Sequence, residues 1–352
     1  MQAPTPADSP RRASVEISDV TGLRETTVWQ ATVANQAFWV TVTVILICFA
    51  TAWHQPDTFA TKSNFFNITR NFAAIGIMAM GMTAVIITGG IDLSVGSVMA
   101  FAGIVAARIM EMGFEWYVAF LAGLVAGGAA GAINGSLIAY VKLPPFVVTL
   151  GMLSIARSMA IVFSDNRVIY QFGPGGDTFK AIGGGRVTIP WIDGGTLDLS
   201  NLFVVLVILA IVMGIVLKTT AWGRYVFAIG GNEHAARLTG IPVDRIKLQV
   251  YILSGMCAAL AALLTVGYQG SASNGMGRMF ELYVIAATVI GGANLMGGKG
   301  SIYGAFIGAA LIFLIRNSLI MFGVDATWYD FFVGLFIILA VLLERMRNRQ
   351  QG

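Results

Sequence analysis

Successive apolar stretches, each near the length of a bilayer crossing, constrain this chain more than any other feature. A membrane-spanning helix needs about 20 mostly apolar residues. Candidates lie near Phe38–Trp53, Phe72–Thr88, Leu93–Met112, Trp116–Tyr140, Phe146–Phe163, Leu202–Leu217, Lys247–Gly267, Leu282–Gly297, Ile302–Phe322 and Trp328–Leu343. Composition agrees: 57% of residues are hydrophobic and 11% charged, where soluble domains carry about 25% charged. The expected fold is an all-α integral membrane protein of about ten transmembrane helices embedded in a lipid bilayer. The formal charge of +4 does not point to nucleic acid, because the basic residues fall largely in loops.

Those loops set orientation, since cytosolic loops carry an excess of Lys and Arg. With the N-terminus cytosolic, Arg11, Arg12, Arg24, Lys142, Lys218, Arg224, Arg237, Arg245, Lys247, Lys299, Arg345, Arg347 and Arg349 share one face. Fewer lie opposite, and three of those, Arg167, Lys180 and Arg186, belong to the long 164–200 loop, which weighs little in this count. Both termini are therefore expected in the cytosol. The organisation is a cytosolic tail over 1–35, a transmembrane domain over 36–344 and a cytosolic tail over 345–352. The 164–200 loop is external and the 218–247 loop cytosolic.

Gly89–Gly96, reading Gly-Gly-Ile-Asp-Leu-Ser-Val-Gly, interrupts what would otherwise be a membrane hairpin. A charge near hydrocarbon costs at least a few kcal/mol, so an intramembrane Asp is by default a functional candidate. Irregular backbone at that depth is tolerated only inside protein or beside a water-filled path. Asp92, Ser94, Gly89, Gly90 and Gly96 are thus candidates to line or frame a translocation path. The competing reading is that Asp92 caps the next helix at the water interface. Asn134, a polar group in an apolar helix, either bonds across helices or faces the path. It lies beside a stripe of Gly123, Gly127, Gly131 and Gly135, which lets another backbone approach closely. Gly89–Leu93 recurs as Gly291-Gly-Ala-Asn-Leu295, a candidate internal repeat that adds Asn294 to the path candidates.

Within the 218–247 loop, Gly230-Gly-Asn-Glu-His-Ala-Ala-Arg-Leu-Thr-Gly-Ile-Pro242 reads as a short helix with both ends marked. Asn232 suits the N-cap, Glu233 the first turn, Arg237 the last, and Gly240 the left-handed position beyond it. A compact capped helix between two spans is suited to being gripped by a partner.

Catalytic chemistry is missing from the sequence. Met296-Gly-Gly-Lys-Gly300 fails as a phosphate loop: Ala293 stands where the first glycine is required, and Gly300 where Ser or Thr would hold magnesium. Gly-x-Ser-x-Gly and His-Glu-x-x-His patterns are absent. No metal site is indicated, and Cys48 and Cys257 read as small core residues rather than a disulfide.

Four runs in order carry a resemblance: Gly89–Gly96, Asn134–Gly135 through Pro145–Gly151, Gly223-Arg-Tyr through Gly240-Ile241, and Gly291–Gly300. Together the chain resembles the ribose-type permeases of ABC importers. The resemblance implies a bacterial inner-membrane subunit for a monosaccharide or polyol. It would work with a second permease copy, ATP-binding subunits that hold ATP and magnesium, and a periplasmic sugar-binding protein, and have no cofactor or enzymatic activity of its own. It also makes Asn232–Thr239 a coupling helix, with Gly231, Asn232, Glu233, Ala236, Arg237 and Gly240 the residues facing the ATPase. A branched-chain amino acid permease, an ion-coupled secondary transporter and a channel or scaffold are the competing classes.

Overall fold

The computed structural model describes residues 35–190, 195–332, 334, 335 and 338. The expected N-terminal tail except Asn35, half of the Trp328–Leu343 span and the C-terminal tail lie outside those residues. Seven described helices are long and apolar enough to cross a membrane: α1 (Gln36–His54), α3 (Lys62–Ile87), α5 (Trp116–Ala139), α6 (Pro145–Phe163), α8 (Asn201–Thr219), α11 (Val243–Gln269) and α13 (Ile302–Met321). Shorter helices are α2 (Pro56–Phe59), α4 (Val95–Glu111), α7 (Gly176–Gly184), α9 (Ala221–Gly231), α10 (Glu233–Leu238) and α12 (Phe280–Ile290). Many starts follow from local chemistry: the side chains of Thr61, Ser200, Thr220, Asn232 and Ser301 each accept an N–H from the first turn they precede.

Three expectations are corrected. The span expected to run from Leu282 to Gly297 ends at Ile290, because Gly291 and Gly292 turn the chain rather than continue the helix. That leaves α12 with 11 residues, and α4 has 17, so neither is a full span by length. The 164–200 loop departs from the all-α expectation: besides α7 it forms an antiparallel hairpin, β1 (Arg186–Pro190) with β2 (Thr196–Ser200), paired Arg186 to Ser200 through Pro190 to Thr196. Three consecutive β-branched residues, Val187, Thr188 and Ile189, favour extended pairing in β1. The 218–247 connector holds two helices, the additional one being α9, whose Val226 and Ile229 are buried.

Two helices form the centre. Within its most apolar window, α3 is 89% buried and α11 78%, whereas α1 is 17% and α8 22% buried. Apolarity does not decide which helices are enclosed, because lipid accepts apolar faces as readily as protein does: α8 has the highest mean hydropathy, 2.8, and α3 the lowest, 1.6. The glycine stripe of α5 lies on α11: Gly123 meets Leu263, Gly127 meets Ala259 and Gly255, Gly131 meets the Tyr251 carbonyl, and Gly135 meets Leu248. Receding by about four residues on α11 for each four gained on α5, these contacts describe antiparallel helices pressed backbone to backbone.

Candidate functional site

Both glycine motifs end a helix in the same way. At the end of α3, Gly89 has φ +76°, its N–H donates to the Ile86 carbonyl, and the Gly90 N–H donates to Val85. At the end of α12, Gly292 has φ +99°, its N–H donates to Val289, and the Ala293 N–H donates to Thr288. This is one glycine-terminated cap made twice, satisfying carbonyls that the helix leaves free. An Asx turn follows each: Asp92 Oδ1 accepts from Ser94 N at 3.0 Å, and Asn294 Oδ1 accepts from Met296 N at 2.8 Å. The correspondence slips by one residue, since the left-handed position is the first glycine of the first pair and the second glycine of the other.

Asp92 is only 1% exposed and engaged on both carboxylate oxygens. Oδ1 also accepts from Ser94 Oγ at 2.6 Å, and Oδ2 accepts from Ser254 Oγ of α11 at 2.8 Å. Asn134 Nδ2 of α5 donates to Ser94 Oγ at 3.0 Å. Asp92, Ser94 and Asn134 are thus brought together, with Ser254 as a fourth member that the sequence reading missed. The start of α4 directs the positive end of its dipole toward the same carboxylate. Asn134 Oδ1 is buried without a hydrogen-bond partner among the described residues, an arrangement that costs about 1–3 kcal/mol.

The remaining path candidates take no part in the side-chain hydrogen bonds of this cluster. Gly90 is buried beneath the Tyr251 ring, and Gly89 lies beside the Met296 carbonyl. Gly96 faces away, against Gly277 and the Glu281 carboxylate. Asn294 belongs to the second break and makes no hydrogen bond to Asp92. Arg157, a basic residue inside an apolar run, donates to the Asn274 carbonyl at 2.6 Å and the Met276 carbonyl at 2.8 Å.

At the other side of the breaks lies α10. Asn232 Oδ1 accepts from Ala235 N at 2.9 Å, and Gly240, at φ +82°, closes the helix as its N–H donates to Arg237 and that of Ile241 to Ala236. Side chains fasten the helix to its surroundings. Arg237 pairs with Asp244 at 2.8 Å, Asp244 with Lys142, and Glu233 with Lys247 at 2.6 Å. Partial burial pushes the Glu233 carboxyl up, but hydrogen bonds from Lys247 and Arg237 outweigh it and hold the group below its ordinary value. Ala236 is buried and faces the helix bundle, whereas Leu238, not among the expected contact residues, is 76% exposed.

A junction of bare backbone joins α9, which leads into α10, to both breaks. Gly298 N donates to the Ile87 carbonyl at 2.9 Å. Gly230 fills the space beside that bond; a Cβ there would collide with Ile87 O and Gly298 N. Gly297 lies against Gly230 and Gly89. With the Gly298 N–H already spent on Ile87, this glycine run serves as a packing corner.

Residues 64–341 match the family model described as branched-chain amino acid transport system / permease component. The chain is similar to a ribose import permease protein of Escherichia coli (strain K12), 37% identical over 86% of this chain and 92% of that protein. It is similar to a fructose import permease protein of Rhizobium meliloti, 37% identical over 79% of this chain and 76% of that protein. It is also similar to a D-allose transport system permease protein of Escherichia coli (strain K12), 34% identical over 84% of this chain and 87% of that protein. No solved structure matches the chain.

Proposed function

Since the chain belongs to this family of transport-system permease components, we propose that it is the membrane subunit of an ATP-driven, binding-protein-dependent importer for a monosaccharide or related polyol. The proteins it resembles are ribose, fructose and allose permeases, which favours a sugar over a branched-chain amino acid or an ion-coupled route. The chain carries no cofactor; ATP and magnesium bind a separate ATPase. It works in the bacterial inner membrane with a second permease copy, ATP-binding subunits and a periplasmic sugar-binding protein. Both termini are cytosolic, the helices whose placement is described being part of about ten, and the 164–200 loop faces the binding protein.

The observation that carries this reading is the backbone junction of Ile87, Gly230 and Gly298. A short helix closed at both ends moves as a rigid body, and close backbone contacts leave little slack to absorb displacement. Movement of α10 by an ATPase is therefore passed through α9 to both breaks. There Asp92 frames the path by holding the break to α11, and rearrangement of the break offers Asn134 Oδ1 a partner.

Glu233 and Arg237 set the pose of α10, and Leu238 is the anchor that enters the ATPase cleft, as an exposed apolar side chain amid charged ones is suited to do. Replacing Leu238 with Asp is expected to leave membrane insertion and thermal stability unchanged while the ATPase no longer co-purifies. Full recovery of the ATPase with L238D would remove Leu238 from the interface.

A further inference from the structure

We propose that the cleft between α1, α3, α8 and α13 is a binding site for one acyl chain of an anionic phospholipid, whose phosphate rests on Lys62. The cleft has a volume of about 580 Å³ and is lined by Cys48, Phe65, Phe72, Phe203, Phe306 and Leu314 among others. Its inner wall is aromatic: the Phe72 ring meets those of Phe203 and Phe306 at 5.8 and 5.6 Å between centroids. Thr69 also lines the cleft, but its hydroxyl donates to the Phe65 and Phe66 carbonyls of its own helix, so the polar groups open to a ligand lie at the end formed by Thr61 and Lys62 at the start of α3.

That distribution matches an amphipathic ligand. Thr61 Oγ accepts from Asn64 N and donates to Thr58 O, so Lys62 is the group left to receive a headgroup. The ammonium of Lys62 is exposed and in no ion pair among the described residues. Asp198 lies within its field but is paired with Arg186 at 3.0 Å and accepts from Thr188 at 2.7 Å. First-turn N–H groups of α3 add positive character at the same end.

Dimensions select the occupant. Lys62 to Phe72 spans about 15 Å at the rise of a helix, half of a hydrocarbon core about 30 Å thick. This is the depth of one leaflet. A sugar is disfavoured by walls that offer almost no polar partner.

The test uses the full chain in mild detergent, stripped of lipid and then given phosphatidylglycerol or phosphatidylcholine. Native mass spectrometry measures retention, and maleimide modification of half-buried Cys48 reports occupancy of the cleft, Cys257 being buried. The wild type is expected to retain phosphatidylglycerol several-fold more than phosphatidylcholine and to protect Cys48 when it does. Lys62→Gln should bring the two lipids to parity, and Ala310→Phe, which fills the cleft, should abolish both retention and lipid-dependent protection. Lys62 is exposed, so K62Q decides the matter even if A310F fails to fold. Equal lipid preference in wild type and K62Q overturns the proposal. So does a cross-link from Cys48 to another segment of this chain or to a second copy, which would make the occupant protein.

Discussion

Asp92 receives three hydrogen bonds from two directions, and the donors determine which substitutions it tolerates. Ser94 N and Oγ both donate to Oδ1, so in Asp92→Asn the amide oxygen takes that side and Nδ2 faces Ser254. The Ser254 hydroxyl then turns to accept, giving its proton to a carbonyl of its own helix. D92N is expected to insert and melt like the wild type, whereas Asp92→Ala strands two or three donors at about 1–3 kcal/mol each. The check is thermal unfolding in detergent alongside uptake. If Asp92 only frames the break, D92N retains uptake and D92A loses it; loss of uptake in a stable D92N places the charge itself in the path. Asp92 was legible in the sequence because a lone carboxylate in an apolar run stands out. Ser254 was not, being an ordinary helix serine whose partner lies 162 residues away.

Among elements, those whose ends are set locally were readable and those set by packing were not. The limits of α10 follow from Asn232 and Gly240, and the structure has them where the residues indicate. The start of α3 at Lys62 is obscured by the polar residues of its first turns. The apolar composition of residues 291–297 imitates a span although their glycines form a turn. The echo between the two breaks was visible as five residues, but its one-residue slip depends on which glycine takes positive φ. The pose of α10 carries a pH signature. Because the Glu233 carboxyl is held below its ordinary value of 4.5 in the folded state, its contribution is complete above that value and fades as pH falls through the lower folded value. Compared with Glu233→Gln, the wild type should hold a constant advantage in thermal stability from about pH 7 to 5, closing in more acidic buffer. An advantage that grows on acidification would mean that Lys247 and Arg237 do not stabilise the carboxylate.

At the scale of the whole molecule, two helix breaks and the helix pair α9–α10 meet at one corner, and close packing there couples them. In the importer proposed for this chain, that corner passes movement of the ATPase to the breaks; the support for an importer is family membership and the ribose, fructose and allose permeases among its relatives. The class of protein was legible from order and composition, since four glycine-containing runs can be read along one sequence whereas contacts between distant residues cannot. The coupling corner was hidden because Ile87, Gly230 and Gly298 are distant in the chain and bring no distinctive chemistry. Gly230→Val is predicted to insert normally and to disrupt the Ile87–Gly298 contact, since a side chain cannot occupy that space. The most direct test is uptake of radiolabelled monosaccharides and polyols by source cells lacking this chain, complemented with wild type or G230V. The account predicts that deletion abolishes uptake of at least one sugar. Wild type restores it in a manner that survives an uncoupler but not ATP depletion, and G230V, although present in the membrane, does not restore it. Uptake unchanged by deletion across the panel, or restored uptake abolished by the uncoupler while ATP is maintained, contradicts it.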